Sequence, residues 1–172
     1  MAKTNLITEK GLELIKAEVD FLWRRFRPEI TEKVAWAASL GDRSENADYK
    51  ENKRLLRRID SRIRFLRKRM DVLKVVPYAP EQEGKVFFGA WVTVEDDDEN
   101  TRSFRIVGPD EIYRRNDYIS IDSPMARACL GKSIDDEVYV TAAGVEKVWY
   151  VLSLAYNQAV DEDIDPETWR MS

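Results

Sequence analysis

The nine residues Gly41-Asp42-Arg43-Ser44-Glu45-Asn46-Ala47-Asp48-Tyr49 hold the side chains of this chain best suited to chemistry. Three are carboxylates, Asp42, Glu45 and Asp48, each three positions from the next. On a first helical turn, residues three apart project to one side, so Asp42 and Glu45 converge on one point. Two carboxylates on one face chelate a hard divalent ion, share a proton or favour a helix N-terminus. The plainer reading is a helix start, with Asp42 or Ser44 as N-cap and Glu45 or Asp48 following. A metal reading is incomplete by itself. Mg²⁺ usually takes one or two protein carboxylates and completes its octahedron with water or phosphate, so Asp42 and Glu45 make half a site. The chain has no histidine, which removes the commonest general base and Zn²⁺ ligand.

Two heptad-patterned segments must position this stretch. On the first arm Thr8 is a candidate N-cap, and Leu12, Ile15, Val19, Leu22, Phe26, Ile30, Val34 and Ala37 recur at steps of three or four. Pro28 predicts a kink near Phe26-Arg27-Pro28, because a mid-helix proline removes a hydrogen bond and clashes with the preceding turn. Gly41 is a natural helix stop. On the second arm Asn52, Leu55 or Leu56, Ile59, Ile63, Leu66, Met70 and Leu73 keep one seam. The pair reads as an antiparallel αα-hairpin. At 1.5 Å per residue, thirty helical residues span about 45 Å. That length reads as reach, holding the tip far from its base.

Net charge divides the chain. Residues 1–74 carry 19 Lys+Arg against 12 Asp+Glu, and the rest carry 9 against 20. The second arm holds Lys53, Arg54, Arg57, Arg58, Arg62, Arg64, Arg67, Lys68 and Arg69 with Asp60 as its one acid between Lys53 and Arg69. A solvated flank usually mixes signs. Glu18, Asp20, Glu29 and Glu32 on the first arm could offset part of the excess. The arginine-rich run otherwise suits phosphate, contacted through the backbone of a nucleic acid without sequence preference.

After a proline-containing linker, residues 77–84, the period changes to two. Val86–Val94, Thr101–Val107, Tyr118–Ile121, Asp136–Thr141 and Val145–Tyr156 read as strands, with a polar turn at 96–100. Ser123 and Pro124 open a short helix as N-cap and first helical residue, closed by Gly131. The expected class is α+β: a hairpin domain over 1–76, then a small antiparallel sheet with one helix over 85–156. The acidic tail 157–172 has no period and is expected to fray. The single Cys129 allows no intrachain disulfide, reads as a small buried residue and fits a reducing cytoplasm. No apolar leader or membrane-length run is present.

The tip motif, its flank Trp36-Ala-Ala-Ser-Leu40 and the segment Ile119-Ser-Ile-Asp-Ser-Pro-Met-Ala-Arg127 resemble the bacterial GreA/GreB transcript cleavage factors. The similarity runs from about Leu6 to Tyr156. The dense basic run and the Trp36 context are closer to the GreB branch. This resemblance implies an FKBP-like C-terminal domain that docks on RNA polymerase, through Asp122, Ser123 and Pro124. It implies a coiled-coil tip entering the polymerase's secondary channel. Asp42 and Glu45 would there help hold a second Mg²⁺ and the attacking water, with Ser44 and Asn46 as helpers. Lys53, Arg54, Arg57, Arg58 and Arg62 would contact the nascent RNA near its 3′ end. Backtracked RNA is then cleaved by the polymerase, and the factor has no turnover of its own. Both tip acids are present, unlike in related inhibitory factors with altered acidic tips. The expected protein is a cytoplasmic bacterial monomer that binds no metal tightly alone. Other readings are a non-cleaving channel regulator, a free-standing nucleic-acid-binding coiled coil and, least favoured, a prolyl isomerase.

Overall fold

The computed structural model describes residues 4–41, 46–156 and 164–171. Two compact units form, one of Met1–Gly11 with Leu73–Asp161 and one of Leu12–Val72 with Glu162–Ser172.

In the hairpin unit the first arm comprises α1 (Glu9–Phe21), a π-helical turn (Leu22–Phe26) and α2 (Arg27–Ala38); the second is α3 (Ala47–Val72). Leu14, Ile15, Phe21, Leu22, Phe26, Ile30 and Ala37 are buried on the first arm, and Ile59, Ile63 and Leu66 on the second. Leu12, Val19 and Val34 of the predicted seam are only half-buried, while Leu14 and Phe21 go inside. The interruption at Pro28 explains the change of phase. Pro28 has no N–H for the carbonyl four residues back, and its ring crowds that carbonyl. The chain takes a wider turn just before it, with the Arg27 N–H donating to the Leu22 carbonyl five residues back. The extra residue rotates what precedes it.

The frayed tail expected from sequence is folded over 164–171. Its core is a 3₁₀ turn, Pro166–Trp169, capped by the Asp165 carboxylate, which accepts from the Glu167 N–H at 3.0 Å. The Trp169 ring lies 6.0 Å from that of Phe21. Arg170 ion-pairs with Glu29 and Glu167, and Glu167 also accepts from Arg25 at 3.1 Å. Acidic composition pointed towards solvent. The Asp165-Pro166 pair, an N-cap followed by proline, and a tryptophan in need of cover were the contrary signals. Residues 157–163 of the tail lie outside the described ones.

The second unit is a five-stranded sheet in the order β5-β4-β3-β7-β6, built of β3 (Trp91–Asp96), β4 (Thr101–Val107), β5 (Tyr118–Ser120), β6 (Glu137–Ala142) and β7 (Val145–Ala155). It is not wholly antiparallel as expected, for β5 runs parallel to β4. The ten residues between them, 108–117, are too many for a tight hairpin and carry the chain back to the start of β4. One face packs on the helix α4 (Pro124–Cys129) through Val92, Val94, Phe104, Ile106, Val138, Val151, Met125 and Cys129. Burial there pushes the Cys129 thiol up to about 11. The predicted strand at Val86 begins only at Trp91. Gly89 has φ +88° and donates to the Ile106 carbonyl, so 86–90 is a packed loop.

Sequence periodicity missed a two-stranded parallel pair of β1 (Leu6–Ile7) and β2 (Lys74–Val75), each too short to show a period. Beside it Thr8 caps α1, its hydroxyl accepting from the Gly11 N–H at 3.0 Å. The buried Glu111 carboxylate accepts from the Thr8 N–H, the Thr8 hydroxyl and the Gly108 N–H. Gly11 and Gly108 have no space for a side chain. A Cβ on Gly108 would lie 1.9 Å from the Leu6 carbonyl oxygen.

Candidate functional site

α2 ends at Ala38 and Gly41 follows at φ +113°, a left-handed conformation that stops a helix and suits glycine. α3 starts at Ala47, and Asn46 is its cap. The Asn46 Oδ1 accepts from the Tyr49 N–H at 3.0 Å, and Nδ2 donates to the Ala37 carbonyl at 2.7 Å. One side chain thus closes the start of α3 and the end of α2. Asn46 thus supplies a cap at the start of α3, which begins after Glu45. Asp42, Ser44 and Glu45 themselves lie outside the described residues. Among the described residues no group of three His, Cys, Asp or Glu side chains could hold a metal ion. Around the tip, Trp36 and Leu40 are exposed, and the Lys53 ammonium stands over the Tyr49 ring at 5.9 Å.

The basic arm resolves into a groove. Arg54, Arg57, Arg58, Ser61, Arg62 and Phe65 of α3, with Met171, line an open hollow of about 590 Å³. Steps of three and four place these residues on one stripe of the helix. Lys53 falls outside it. Arg54, Arg57 and Arg58 are exposed, whereas Arg62 is held by Glu18 at 2.8 and 3.2 Å and lies over the Phe65 ring. Of the four first-arm acids expected to neutralise the run, Glu18 does so. Asp20 pairs along its own arm with Arg24, and Glu29 takes Arg170 from the tail. Asp60 of α3 is taken by Arg27 at 2.7 Å. Glu18 thus offsets Arg62 of the stripe, while Asp20 and Glu29 hold arginines elsewhere.

In the sheet unit Ser123 caps α4, accepting from the Ala126 N–H at 3.2 Å, with Pro124 at the first helical position. The Asp122 carboxylate accepts from both the N–H and the hydroxyl of Thr4, which hold it below the usual carboxylate range. The sequence offered no sign of this bond between residues 118 positions apart. A cavity of about 210 Å³ is lined by Tyr78, Phe88 and Tyr156 together with Glu9, Lys10 and Arg105. It is an aromatic-lined hollow that sequence reading did not find, yet below the roughly 300 Å³ at which ligand pockets begin.

Comparison with known proteins places both halves. Residues 5–75 match the family model "Transcription elongation factor, N-terminal", and residues 81–156 match "Transcription elongation factor, GreA/GreB, C-term". The chain belongs to the GreA/GreB family. Within this family, transcription elongation factor GreB of Pseudomonas putida is 66% identical over 93% of this chain and 99% of its own length. GreB of Pseudomonas syringae pv. tomato is 61% identical over 90% and 99% respectively. A solved structure of the transcription factor Gfh1 aligns with TM-score 0.42 and 21% identity, over 90% of this chain and 99% of that one. As a GreA/GreB member the chain is a transcription elongation factor with an α-helical coiled-coil hairpin and an α+β C-terminal fold. No helix among the described residues is long and apolar enough to cross a membrane.

Proposed function

We propose that this chain binds RNA polymerase and stimulates cleavage of backtracked nascent RNA, with Asp42 and Glu45 at the hairpin tip as the residues donated to the reaction. The observation that carries the reading is the division of labour at the tip. Asn46 caps α3 at the Tyr49 N–H and ties it to the end of α2, which leaves the carboxylates at 42 and 45 open to another role. Two acids just before the start of α3's roughly 39 Å of helix suit delivery to a distant centre.

Two carboxylates fit the partial shell that Mg²⁺ takes from protein, with the remaining positions left to water and phosphate oxygens. Asp42 and Glu45 would hold the ion jointly with groups of the polymerase and RNA. When bound, Mg²⁺ acidifies coordinated water and neutralises charge on phosphoryl oxygens. Ser44 and Asn46 would orient the tip, Asn46 by fixing both helix ends. Arg54, Arg57, Arg58 and Arg62 would bind RNA phosphates without reading sequence, with Lys53 adding charge nearer the tip. Asp122, Ser123 and Pro124 would dock the second unit on the polymerase, where Ser123 and Pro124 preset the exposed turn that starts α4. In this reading the protein hydrolyses no RNA alone.

Stalled, backtracked polymerase complexes with end-labelled RNA provide the test. The protein should release short 3′ fragments, and Asp42→Asn or Glu45→Gln should abolish release while polymerase binding persists. Binding without any cleavage by the unaltered protein would make it a channel regulator instead. Cleavage of free RNA in the absence of polymerase would make it a nuclease in its own right.

A further inference from the structure

The tail does more than end the chain, for it brings Met171 into the arginine groove. Its anchor is a consequence of the π turn. In an α-helix, residues five apart point about 140° away from each other. A π turn bonds residues five apart and brings them over one another. Phe21 and Phe26 accordingly stack with centroids 6.2 Å apart and planes at 23°. Trp169 lies against Phe21, and the Arg170 guanidinium stands over both rings, 5.5 Å from Phe21 and 5.1 Å from Phe26. Glu29 fixes the same guanidinium, and Arg25 reaches Glu167.

We propose that the segment Ile164–Met171 is an intramolecular occupant that restricts access of phosphate polymers to the arginine groove, so that tail docking and polyanion binding oppose each other. Four observations carry this. The residue after the Arg170 anchor is itself a wall of the groove, so a docked tail takes up space on the surface that a phosphate chain would follow. Within Ile164–Met171 the acids Asp165 and Glu167 outnumber Arg170. The field that attracts phosphate also attracts this segment, and its acids repel phosphate in turn. The anchoring groups, two phenylalanines and Glu29, are ones a polyanion has no use for, so displacement need not remake them. The ion pair between Arg25 and Glu167 is exposed on both sides and hence weak, which keeps the contact reversible.

The inference shares with the proposed function only the assignment of the groove to phosphate, and its test uses no polymerase. A fluorescent 15-nucleotide oligo(U) is titrated with the full chain at several salt concentrations. Trp169→Ala should bind roughly fivefold more tightly, the low end of ordinary coupling between sites. Arg170→Ala should also bind more tightly, although it removes a positive charge and simple electrostatics would predict weaker binding. By reciprocity, saturating RNA should expose the tail. The one native thiol, Cys129, is buried, so alkylation of a Met171→Cys variant reports on the tail, and oligo(U) should accelerate it. Helical content by circular dichroism checks that each variant keeps its hairpin. Unchanged or weaker RNA binding by both tail variants, with the hairpin intact, would overturn the inference and leave the tail a structural strap. Failure of both the unaltered chain and the variants to bind oligo(U) at low salt would also overturn it. The cleavage assay would still judge the proposed function by itself.

Discussion

Replacing Asn46 by alanine should unlock both helix ends at the tip together. Its side chain makes two bonds with different partners, accepting from the Tyr49 N–H at 3.0 Å and donating to the Ala37 carbonyl at 2.7 Å. Loss of the N-cap costs about 1 kcal/mol. Loss of the half-buried bond to Ala37 costs about another 1 kcal/mol. At 1.4 kcal/mol per factor of ten, about 2 kcal/mol is roughly a thirtyfold rise in local opening. Amide hydrogen exchange read at Tyr49 and Lys50 for the start of α3, and at Ser39 and Leu40 for the end of α2, measures it directly. Asn46→Asp separates the two bonds. It keeps an acceptor at a helix N-terminus, where negative charge is favoured, but has no donor for Ala37. Protection should return at Tyr49 and Lys50 and stay low at Leu40, whose N–H shares the Ala37 carbonyl. Under the proposed function, stimulated cleavage falls in Asn46→Ala while polymerase affinity holds. Exchange within twofold of the unaltered protein at all four amides would refute the double-cap argument.

Neutralising Arg54, Arg57 and Arg58 together should weaken oligo(U) binding and flatten its salt dependence, because each phosphate contact releases counterions; an unchanged slope would remove the stripe from RNA binding. Gly108→Ala should destabilise the sheet unit by about 1–3 kcal/mol in urea melts, since its Cβ would strike the Leu6 carbonyl and overpacked sites give way only by shifting backbone. Asp96 is buried, bonded to Lys147 at 2.8 Å and to the N–H groups of Asp98 and Asn100, and these hold its carboxyl well below the usual range. Its stabilisation is present above the unfolded-state value of about 3.9 and is lost as pH falls below it. Thermal melts of Asp96→Asn should therefore be lower than those of the unaltered protein at pH 7, with the difference shrinking in acid.

Much of this fold is written in periodicity. Gly41, Thr8 and the Ser123-Pro124 pair were legible because capping is local, and the seam of α3 because its heptads run unbroken. What could not be read depended on partners distant in the chain. Thr4 meets Asp122, Glu111 gathers Thr8 and Gly108, and Arg170 meets Glu29, 141 positions away. None of these pairs leaves a spacing signature. At the tip the motif was visible but its internal roles were not. Asp, Ser and Asn are comparable N-caps, and only the positions of Ala37 and Tyr49 assign the work to Asn46.

The proline links local strain to the tail. Pro28 predicts a kink, and a kink would be a hinge that weakens the reach of the hairpin. The chain instead absorbs the missing hydrogen bond as a π turn, which keeps the arm helical from Glu9 to Ala38 and changes the phase of its buried stripe. The change of phase brings Phe21 beneath Phe26 and makes the platform that Trp169 and Arg170 occupy. Had the seam run on in strict heptads, Val19 would be buried and the Phe21 and Phe26 rings would diverge, leaving the tail without its anchor. The sequence element that looks most like a defect in the coiled coil is thus the one that gives the acidic C-terminal segment a place beside the arginine stripe. Attraction between unlike charges alone would not choose that place. The stacked rings fix it in space, and charge decides what competes for it.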